Sequence, residues 1–515
     1  MNGAQSLVHT LIKSDVEVCF TNPGTSEMHF VAALDSVVGM RCALCLFEGG
    51  ATGAADGYYR MARKPASTLL HLGPGLANGL SNLHNAKKAH SGIVNIVGEH
   101  AIDHIALNAP LTSDIEGIAR PVSHWVRSSK SSKVVAQDGA DAVAAANHPA
   151  GQIATLILPG DTAWGEAGNP AEKVNAVAKS PIDFQKVLQS QQALSKTNRG
   201  LILVGGDALE PHHLLSLSGV TAKMGCSLMS DWANSRMDRG AGRISIERIP
   251  FAVDKALELL KKFDTIVLIG ASPPVAFFAY PGKPGVLSQP GTNFIALASI
   301  GDDIDQAIDL LADTVKSNGP CLDWIVKPVL PIIPTGDITP SLVGAVLGAL
   351  MPENAIVVDE SVSTGREFFS LTSGSPQHTW LYNCGGSIGY GLPVATGAAI
   401  ACPDRKVIAL EGDGSAMYTV QSLWTMAREN LDILILIFSN RSYNILKGEL
   451  KNVGVIDPGP IATKMLSLRE PDLDWLSLSK GMGVDACLVK SGEQLVKAMK
   501  IGLAFKGPYL IEIEL

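Results

Sequence analysis

The sequence predicts an α/β protein of three Rossmann-like domains, each a parallel sheet flanked by helices. Short apolar segments alternate with glycine-bearing turns and helical segments, which is the pattern of parallel sheets covered on both faces. The chain has 515 residues, too many for one hydrophobic core. Two polar or proline-rich stretches, 164–181 and 326–340, separate predicted domains at 1–165, 182–325 and 336–515.

Composition and charge argue against several classes of protein. Hydrophobic residues make up 46% and charged residues 17% of the chain, which is typical of a compact globular protein. The formal net charge is −8 without long basic runs, so binding to nucleic acid or to an anionic membrane is not expected. The sequence has no signal-peptide pattern and no apolar run of membrane-spanning length. We therefore expect a soluble protein of the cytoplasm.

The cysteines give no sign of a metal site. The one close pair is Cys42-Ala-Leu-Cys45, and no second Cys or Cys/His pair completes a four-ligand zinc site. We interpret this pair as two small residues in a buried strand. Reduced thiols also suit the cytoplasm.

In the first domain, four apolar segments each run directly into a turn. The segments read VEVCF, RCALCLF, ASTLLHL and GIVNIV, and the turns that follow begin TNPGTSE, EGGATG, GPGLANG and GEH. Parallel sheets bind their ligands at the carboxyl ends of the strands, where these turns lie. The functional residues of this domain are therefore expected in the turns.

Two other enzyme classes share a short pattern with this sequence. GGSIG at 385–389 fits the G-x-S-x-G motif of serine hydrolases, which requires a histidine after the serine. The last histidine of the chain is His378, so this reading fails. LILVGGDAL, near the start of the second domain, lacks the G-x-G-x-x-G pattern of dinucleotide-binding oxidoreductases.

In the third domain, an acid between two glycines ends an apolar strand. The segment KVIALEGDGSAM places Asp413 in the turn, and apolar residues at helical spacing follow over 416–427. By itself, Asp413 would be a helix N-cap. The next apolar strand, ILILIF, leads to Asn440, 27 positions after Asp413. Because neighbouring parallel strands end at one edge, the two side chains are expected to face each other. Their oxygens suit Mg²⁺ or Ca²⁺, with water and phosphate filling the remaining positions.

Gly-Asp-Gly-Ser at 412–415, with a strand-ending Asn at this spacing, resembles the thiamine diphosphate motif of the pyruvate decarboxylase and acetolactate synthase superfamily. The resemblance implies thiamine diphosphate and Mg²⁺ as cofactors, and the thiamine diphosphate-binding fold for the first and third domains. It implies that Asp413, Asn440 and the Ser442 carbonyl bind the metal. The other implied cofactor contacts are Ser361, Ser363, Gly386, Ser387, Ile388, Gly412, Gly414, Ser415, Tyr418 and Tyr443. Ser439 stands where the family often has a first Asn.

Glu48 follows a predicted strand and opens the segment EGGATGAADGYYRMAR, which resembles the strand–Glu–helix segment of the same family. The resemblance implies that Glu48 hydrogen-bonds the aminopyrimidine ring of the cofactor. It also implies that this glutamate reaches a cofactor bound by a neighbouring subunit, so that the protein is at least a homodimer and commonly a homotetramer. The alternative is an acid that is favourable at a helix N-terminus.

Across essentially the whole chain, the resemblance is to benzoylformate decarboxylase and to relatives of acetolactate synthase. TNPGTSE resembles a decarboxylase turn and places Thr25 at the position of an active-site serine. LLHLGPG places His71 at the position of a catalytic histidine, which could relay protons or hold the substrate carboxylate. The alternative for His71 is a histidine packed at a strand end.

Two departures from these relatives limit the predicted activity. The middle-domain segment GASPPVAFFAYPGKPG lacks the second histidine of benzoylformate decarboxylase, and no tryptophan follows Asn440 before Trp475, unlike in acetolactate synthases. FAD is possible but not indicated. We predict decarboxylation of a 2-oxo acid, with release of an aldehyde or carboligation to a second carbonyl. The alternatives are acetolactate synthase proper, which forms 2-acetolactate from pyruvate, and a non-catalytic paralogue that binds the cofactor only.

Overall fold

The computed structural model describes residues 1–515 and contains three sheets, of six, five and seven strands. Within each sheet the strands pair in parallel, apart from one antiparallel edge strand. The predicted fold class is confirmed. No helix has the length and hydropathy needed to cross a membrane.

The first sheet contains β1 (Val18–Asn22), β2 (Arg41–Leu44), β3 (Ala66–Leu70), β4 (Ile93–Glu99), β5 (Trp125–Ser128) and β6 (Ile153–Pro159). The helices of this region are α1 (Gly3–Lys13), α2 (Met28–Ser36), α3 (Glu48–Ala62), α4 (Leu72–Lys88), α5 (Ile102–Ile105), α6 (Ile115–Ala119), α7 (Val135–Ala146) and α8 (Gly160–Trp164). The strand order is β2-β1-β3-β4-β6-β5. Every residue of β3, β4 and β6 is buried, because helices cover both faces of the sheet.

The second sheet contains β7 (Gly200–Val204), β8 (Ser227–Ser230), β10 (Glu247–Arg248), β11 (Thr265–Ile269) and β12 (Asn293–Ala298). Its helices are α9 (Phe184–Ser195), α10 (Pro211–Met224), α11 (Val253–Leu260) and α12 (Ile304–Val315). The strand order is β10-β8-β7-β11-β12. The remaining strand of this region, β9 (Met237–Arg239), belongs to the third sheet.

The third sheet contains β9 together with β13 (Ala355–Glu360), β14 (His378–Tyr382), β15 (Val407–Gly412), β16 (Ile433–Ser439), β17 (Asp485–Val489) and β18 (Tyr509–Glu514). Its helices are α13 (Pro340–Leu350), α14 (Phe368–Leu371), α15 (Gly391–Ala401), α16 (Asp413–Ala416), α17 (Ser422–Arg428), α18 (Asn444–Asn452), α19 (Pro460–Met465), α20 (Trp475–Gly481) and α21 (Gly492–Ala504). The strand order is β17-β18-β16-β15-β13-β14-β9, with β9 antiparallel to β14. The middle region therefore contributes an edge strand to this sheet, and the exact domain boundaries stay a prediction.

The helical segment predicted after Asp413 is divided in the structure. It consists of α16, a 3₁₀ turn at Met417–Thr419 and α17. The backbone at Met417 and Val420 keeps right-handed helical dihedral angles, so the segment tightens without changing direction. The apolar stripe along it still faces the core, where Leu423 and Met426 are buried.

Helices α3 and α15 approach each other closely and join the first and third regions. A Cβ atom on Gly57 would overlap the Val394 backbone, and one on Gly397 would overlap the Ala54 backbone. The small residues in both segments are therefore required by this contact. Buried side chains from both regions form one continuous hydrophobic cluster, which includes Tyr58 and Leu392.

A buried ion pair within α3 links the regions further. Arg60 donates to both carboxylate oxygens of Asp56, at 2.8 and 2.6 Å, and each side chain is only 1% exposed. Arg60 also donates to the Tyr382 carbonyl at 2.7 Å and to the Tyr390 hydroxyl at 3.0 Å. The pair therefore ties α3 to β14 and to the start of α15.

The Asp56→Ala variant is expected to lose at least about 3 kcal/mol of unfolding free energy, because it leaves a buried guanidinium without its carboxylate. A matched control is Glu116→Ala, since Glu116 pairs with Arg120 at the same helical spacing but with side chains 43% and 66% exposed. That variant is expected to lose less than about 1 kcal/mol. Urea denaturation of both variants measures the difference, and equal losses would contradict the expectation.

Candidate functional site

Asp413 and Asn440 lie together at the carboxyl edge of the third sheet. Strands β15 and β16 pair in parallel with Gly412 opposite Phe438, so both chains leave the sheet at the same level. The backbone N–H of Arg441 donates to Asp413 Oδ2 at 2.6 Å, and that of Ser442 donates to Asn440 Oδ1 at 3.0 Å. The strand pattern predicted this arrangement. The metal-binding role of these residues stays a prediction.

The Asp413 carboxylate lacks a side-chain cation. It is 2% exposed, and burial raises its pKa to about 6, although N–H groups of Arg441 and Gly414 oppose the shift. The Arg441 guanidinium bonds Glu514 at 2.6 Å and Asp472 at 3.1 Å instead. A divalent cation would supply the missing positive charge, and the donors here are the hard oxygens that Mg²⁺ prefers. The residues therefore fit a magnesium ion.

The predicted third ligand, the Ser442 carbonyl, is already partly used. It accepts the N–H of Asn444 at 2.8 Å, which leaves its second lone pair. The Ser442 hydroxyl donates to the Leu466 carbonyl at 2.9 Å, so this turn is anchored from a second side. The carbonyl is therefore held in place and retains the capacity to bind a metal.

A cavity suited to an anion adjoins this edge. Its volume is about 490 Å³, and its lining includes Ser363, Asn444 and Leu466. Three cations, Arg366, Lys447 and Lys451, also line it, and none of them forms an ion pair with a carboxylate. Unpaired cations beside a predicted diphosphate contact such as Ser363 fit a phosphate-bearing cofactor or an anionic substrate.

The other predicted cofactor contacts in this region lie around the same edge. The Tyr443 ring covers one side of the turn at Gly412–Gly414. A Cβ atom placed on Gly414 would lie 2.6 Å from this ring. On the other side, a Cβ on Gly412 would meet nothing closer than Ser415 Oγ at 3.5 Å. Ser415 is buried, whereas the Tyr418 side of the turn is open, with 53% of that residue exposed. Space for a diphosphate therefore lies on the Gly412 side.

Ser361 lies at the end of β13, close to this edge, but its hydroxyl is occupied. It donates to Asp359 Oδ1 at 2.5 Å, and the Ser361 N–H donates to the same oxygen at 3.1 Å. Because Ser361 is buried and already bonded, Ser363 is the better placed of the two serines for contact with a ligand.

The loop that carries Gly386, Ser387 and Ile388 is held by asparagines. Asn383 Oδ1 accepts the N–H groups of Gly385 at 3.1 Å and Gly386 at 2.8 Å. From α4, Asn85 exchanges hydrogen bonds with the Ser387 backbone at 2.9 and 3.1 Å, and Asn82 donates to the Gly389 carbonyl at 3.1 Å. This network fixes the half-buried Ile388 at the surface of the site.

A buried pair of glutamates beneath this loop was not predicted from the sequence. Glu360, the last residue of β13, lies in register with Glu411, the penultimate residue of β15. Glu360 accepts the N–H groups of Tyr390 at 3.2 Å and Gly391 at 2.9 Å. Burial raises the pKa of Glu360 to about 7. Burial and the neighbouring Glu360 raise the pKa of Glu411 well above its ordinary value. A side chain on Gly391 would overlap the Glu411 carboxyl, so the pair fixes where α15 begins.

Glu48 lies at the carboxyl edge of the first sheet, at the first residue of α3. It is 7% exposed, and Asn78 donates to its Oε2 at 3.0 Å. A Cβ atom placed on Gly75 would lie 3.1 Å from Glu48 Oε1 and 3.2 Å from the Cβ of His71. The structure therefore brings Glu48 and His71 together, as expected for strands of one sheet.

His71 has a carboxylate partner that was not predicted. Its Nδ1 lies 2.8 Å from Oε2 of Glu27, a residue that is 1% exposed and also accepts the Gly24 N–H at 2.7 Å. Ser26 Oγ lies 3.3 Å from the same imidazole nitrogen, whereas Thr25 is exposed and forms no side-chain hydrogen bond. Glu27 thus orients the imidazole and leaves Nε2 free. Ser26 contacts His71 more directly than the predicted Thr25.

The carboxyl edge of the second sheet contains a smaller crevice. Its volume is about 240 Å³, and its lining includes Gly205, Asp207, Asp231 and Gly270. Small-molecule sites usually measure about 300–1,000 Å³. A Cβ on Gly205 would lie 2.6 Å from the Gly270 carbonyl oxygen, so the two turns already touch.

Two family models match the chain. The model of the thiamine pyrophosphate enzyme N-terminal TPP binding domain matches residues 1–118, and that of the C-terminal TPP binding domain matches residues 363–513. The first match includes Glu48 and His71, and the second includes Asp413 and Asn440.

Three known proteins are similar to the chain over nearly its whole length. A Mycobacterium tuberculosis protein is provisionally named acetolactate synthase large subunit IlvX. It is 46% identical to this chain, over 100% of this chain and 99% of that protein. Benzoylformate decarboxylase of Pseudomonas aeruginosa is 28% identical over 96% of this chain and 95% of its own length. The solved structure of the thiamine diphosphate-dependent 4-hydroxybenzoylformate decarboxylase of Rhodococcus jostii RHA1 superposes with a TM-score of 0.86 at 25% identity, covering 100% and 99% of the two chains.

Proposed function

Since this chain belongs to the thiamine pyrophosphate enzyme family, we propose that it catalyses the thiamine diphosphate- and Mg²⁺-dependent decarboxylation of a 2-oxo acid. The product is an aldehyde, or a 2-hydroxyketone when a second carbonyl compound is the acceptor. The observation that carries the proposal is the position of Asp413 beside Asn440 at one sheet edge, without a cation partner. The proposed location is the cytoplasm, which the cysteine usage of the sequence favours.

The residues that we propose to act lie at the carboxyl edges of the first and third sheets. When bound, thiamine diphosphate supplies a nucleophilic carbon and an electron sink for the decarboxylation. Asp413, Asn440 and the Ser442 carbonyl would hold Mg²⁺, and the open side of Gly412 would admit the phosphate groups. Glu48 Oε1 is free to share a proton with a ring nitrogen, since Asn78 occupies Oε2. His71 Nε2 is free to bind the substrate carboxylate or to transfer a proton.

We extend the proposal to a homodimer at least, and to a homotetramer as the common form in this family. In this arrangement Glu48 of one copy completes the site at Asp413 of another. Support comes from the family resemblance of both motifs. Analytical ultracentrifugation of the enzyme at working concentrations tests this part, and a monomer that is fully active would contradict it.

Aromatic residues from the middle region cover the Gly386 loop. The Phe277 ring lies against Gly386, where φ is +77° and no side chain could be accommodated beneath the ring. Phe277 packs on Phe278 and Trp232, with ring centroids 4.7 and 5.6 Å away. Trp232 in turn packs on Tyr382 at 5.8 Å. Such a wall favours a 2-oxo acid with a bulky apolar side chain over pyruvate.

A screen of 2-oxo acids tests the proposed function. The enzyme, saturated with thiamine diphosphate and Mg²⁺, is incubated with pyruvate, longer-chain and phenyl-bearing 2-oxo acids, and carbon dioxide, aldehyde and 2-hydroxyketone are each measured. We expect carbon dioxide release from at least one bulky substrate. Bound cofactor without carbon dioxide release from any substrate would favour the non-catalytic alternative. Exclusive 2-acetolactate formation from pyruvate would favour acetolactate synthase proper.

The Phe277→Ala variant is expected to lose at least about 10-fold in kcat/KM for a bulky apolar 2-oxo acid, because apolar contacts of this size are worth roughly 1–3 kcal/mol. Turnover of pyruvate, whose single methyl group offers little apolar surface, is expected to change less than about 3-fold. Phe184→Ala serves as the control, since Phe184 begins α9 and is 48% exposed. Equal losses for both substrates would show that Phe277 supports the loop without selecting the side chain.

A further inference from the structure

Two adjacent histidines at the start of α10 converge on a carboxylate at the start of α12. His213 Nε2 lies 2.9 Å and His212 Nε2 lies 3.4 Å from the same atom, Asp305 Oδ1. The His213 side chain is 5% exposed, whereas that of His212 is 63% exposed. Two imidazole nitrogens and one carboxylate oxygen thus meet at a point that the proposed thiamine chemistry does not use.

A hydrogen bond on the far side of the His213 ring favours its metal-binding tautomer. His213 Nδ1 lies 2.7 Å from the Asp207 carbonyl oxygen, which can only accept, so Nδ1 carries a hydrogen. A histidine that donates from Nδ1 to a carbonyl presents the lone pair of Nε2, as metal-ligating histidines do. The His212 Nδ1 lies 3.7 Å from Glu210 Oε2, which is too far for a hydrogen bond, so the tautomer argument applies to His213 alone.

Each carboxylate uses one oxygen for a cation and turns the other toward the histidines. Lys179 Nζ lies 3.0 Å from Asp305 Oδ2, which leaves Oδ1 facing both rings. An Arg63 nitrogen lies 3.3 Å from Glu210 Oε1, which leaves Oε2 facing His212. Ligand atoms of Glu210, His212 and His213 all lie within 4.8 Å of one another. The neighbouring cations hold the carboxylates in place and do not fill the point between the rings.

We propose that His212, His213 and Asp305 bind a transition-metal dication of the Zn²⁺ class. Glu210, which faces the Nδ1 side of His212, is not one of the three proposed ligands. Tetrahedral ligands at about 2.0–2.1 Å from zinc are about 3.3 Å apart, close to the 2.9 and 3.4 Å between the imidazole nitrogens and Asp305 Oδ1. Imidazole ligands suit zinc and not Mg²⁺. The bound ion would join the starts of α10 and α12, independently of the proposed 2-oxo acid chemistry.

Zinc titration of the full-length enzyme tests the site. The protein is first saturated with thiamine diphosphate and Mg²⁺, so that Zn²⁺ cannot report on Asp413, and Zn²⁺ is then added in competition with a chromophoric chelator. We expect the wild type to bind one Zn²⁺ per chain. His212→Ala and His213→Ala are each expected to bind Zn²⁺ about 10-fold more weakly than the wild type, or weaker still. His9→Ala is the control, since His9 is exposed on α1 and lies far from the cluster in sequence.

Asp305→Asn keeps the shape of the side chain and covers the case in which a histidine variant folds poorly. It is expected to weaken Zn²⁺ binding without changing carbon dioxide release, and zinc X-ray absorption of the wild type should show two imidazole ligands. Absence of saturable Zn²⁺ binding in the wild type overturns the proposal. So does an affinity that stays unchanged in both His212→Ala and Asp305→Asn. Either result would leave the cluster as an ion-pair link between α10 and α12.

Discussion

The Glu48→Gln variant is expected to lower kcat by about 10²–10⁴-fold while thiamine diphosphate and Mg²⁺ still bind. The amide keeps the size of the side chain and the hydrogen bond from Asn78, which contacts Oε2 in the wild type at 3.0 Å. What it loses is the ability of Oε1 to share a proton with a ring nitrogen. The loss should therefore fall on turnover and not on cofactor affinity.

The measurement pairs two readouts on the same protein. Carbon dioxide release from the best substrate of the screen gives kcat, and calorimetric titration of thiamine diphosphate with Mg²⁺ gives the cofactor affinity. Glu116→Gln is the matched control, because Glu116 lies in the first turn of a helix of the same domain but is paired with Arg120 at the surface. A Glu48→Gln enzyme that retains more than about a tenth of wild-type kcat would remove Glu48 from the proposed chemistry.

The sequence was sufficient to predict the Asp413–Asn440 arrangement because it depends on two neighbouring parallel strands. Strand ends in such a pair lie at one edge whatever the rest of the fold does, and β15 and β16 are neighbours in the sheet. The Glu48 position was predictable for a similar reason, since it follows β2 directly and begins α3.

The Glu27–His71 contact could not be predicted without the strand order. It joins turns after β1 and β3, which are neighbours in the sheet although β2 lies between them in the chain. The residue pattern gives strands in chain order but not in spatial order. The same limit applies to Phe277, because nothing in the sequence brings a middle-region loop against Gly386. Edge strand β9, at three residues, is too short to give a hydrophobic pattern.

The Asp413→Asn variant is expected to weaken Mg²⁺-dependent binding of thiamine diphosphate by more than about 100-fold. Substitution of a residue that only supports a metal ligand typically costs roughly 10–100-fold in metal affinity, and loss of a charged ligand should cost more. Asparagine preserves the size of the side chain, and one oxygen remains. The substitution removes the negative charge, which is the one formal charge that the protein's proposed ligands bring to the metal. It also replaces one of the two oxygens that accept the N–H groups of Gly414 and Arg441. Turnover at ordinary cofactor concentrations should therefore fall to background.

Asp404→Asn provides the matched control for Asp413→Asn, because Asp404 is an exposed aspartate near the amino end of the same strand, β15. Its cofactor affinity and turnover should equal those of the wild type. The discriminating measurement is the affinity for thiamine diphosphate at several Mg²⁺ concentrations. In the wild type, affinity should rise with Mg²⁺ until the ion site is full. In Asp413→Asn, this dependence should be shifted to much higher Mg²⁺ concentrations. If the Mg²⁺ dependence of cofactor affinity is the same in Asp413→Asn as in the wild type, residues other than Asp413 bind the metal. The proposed metal site at the edge of the third sheet would then be wrong.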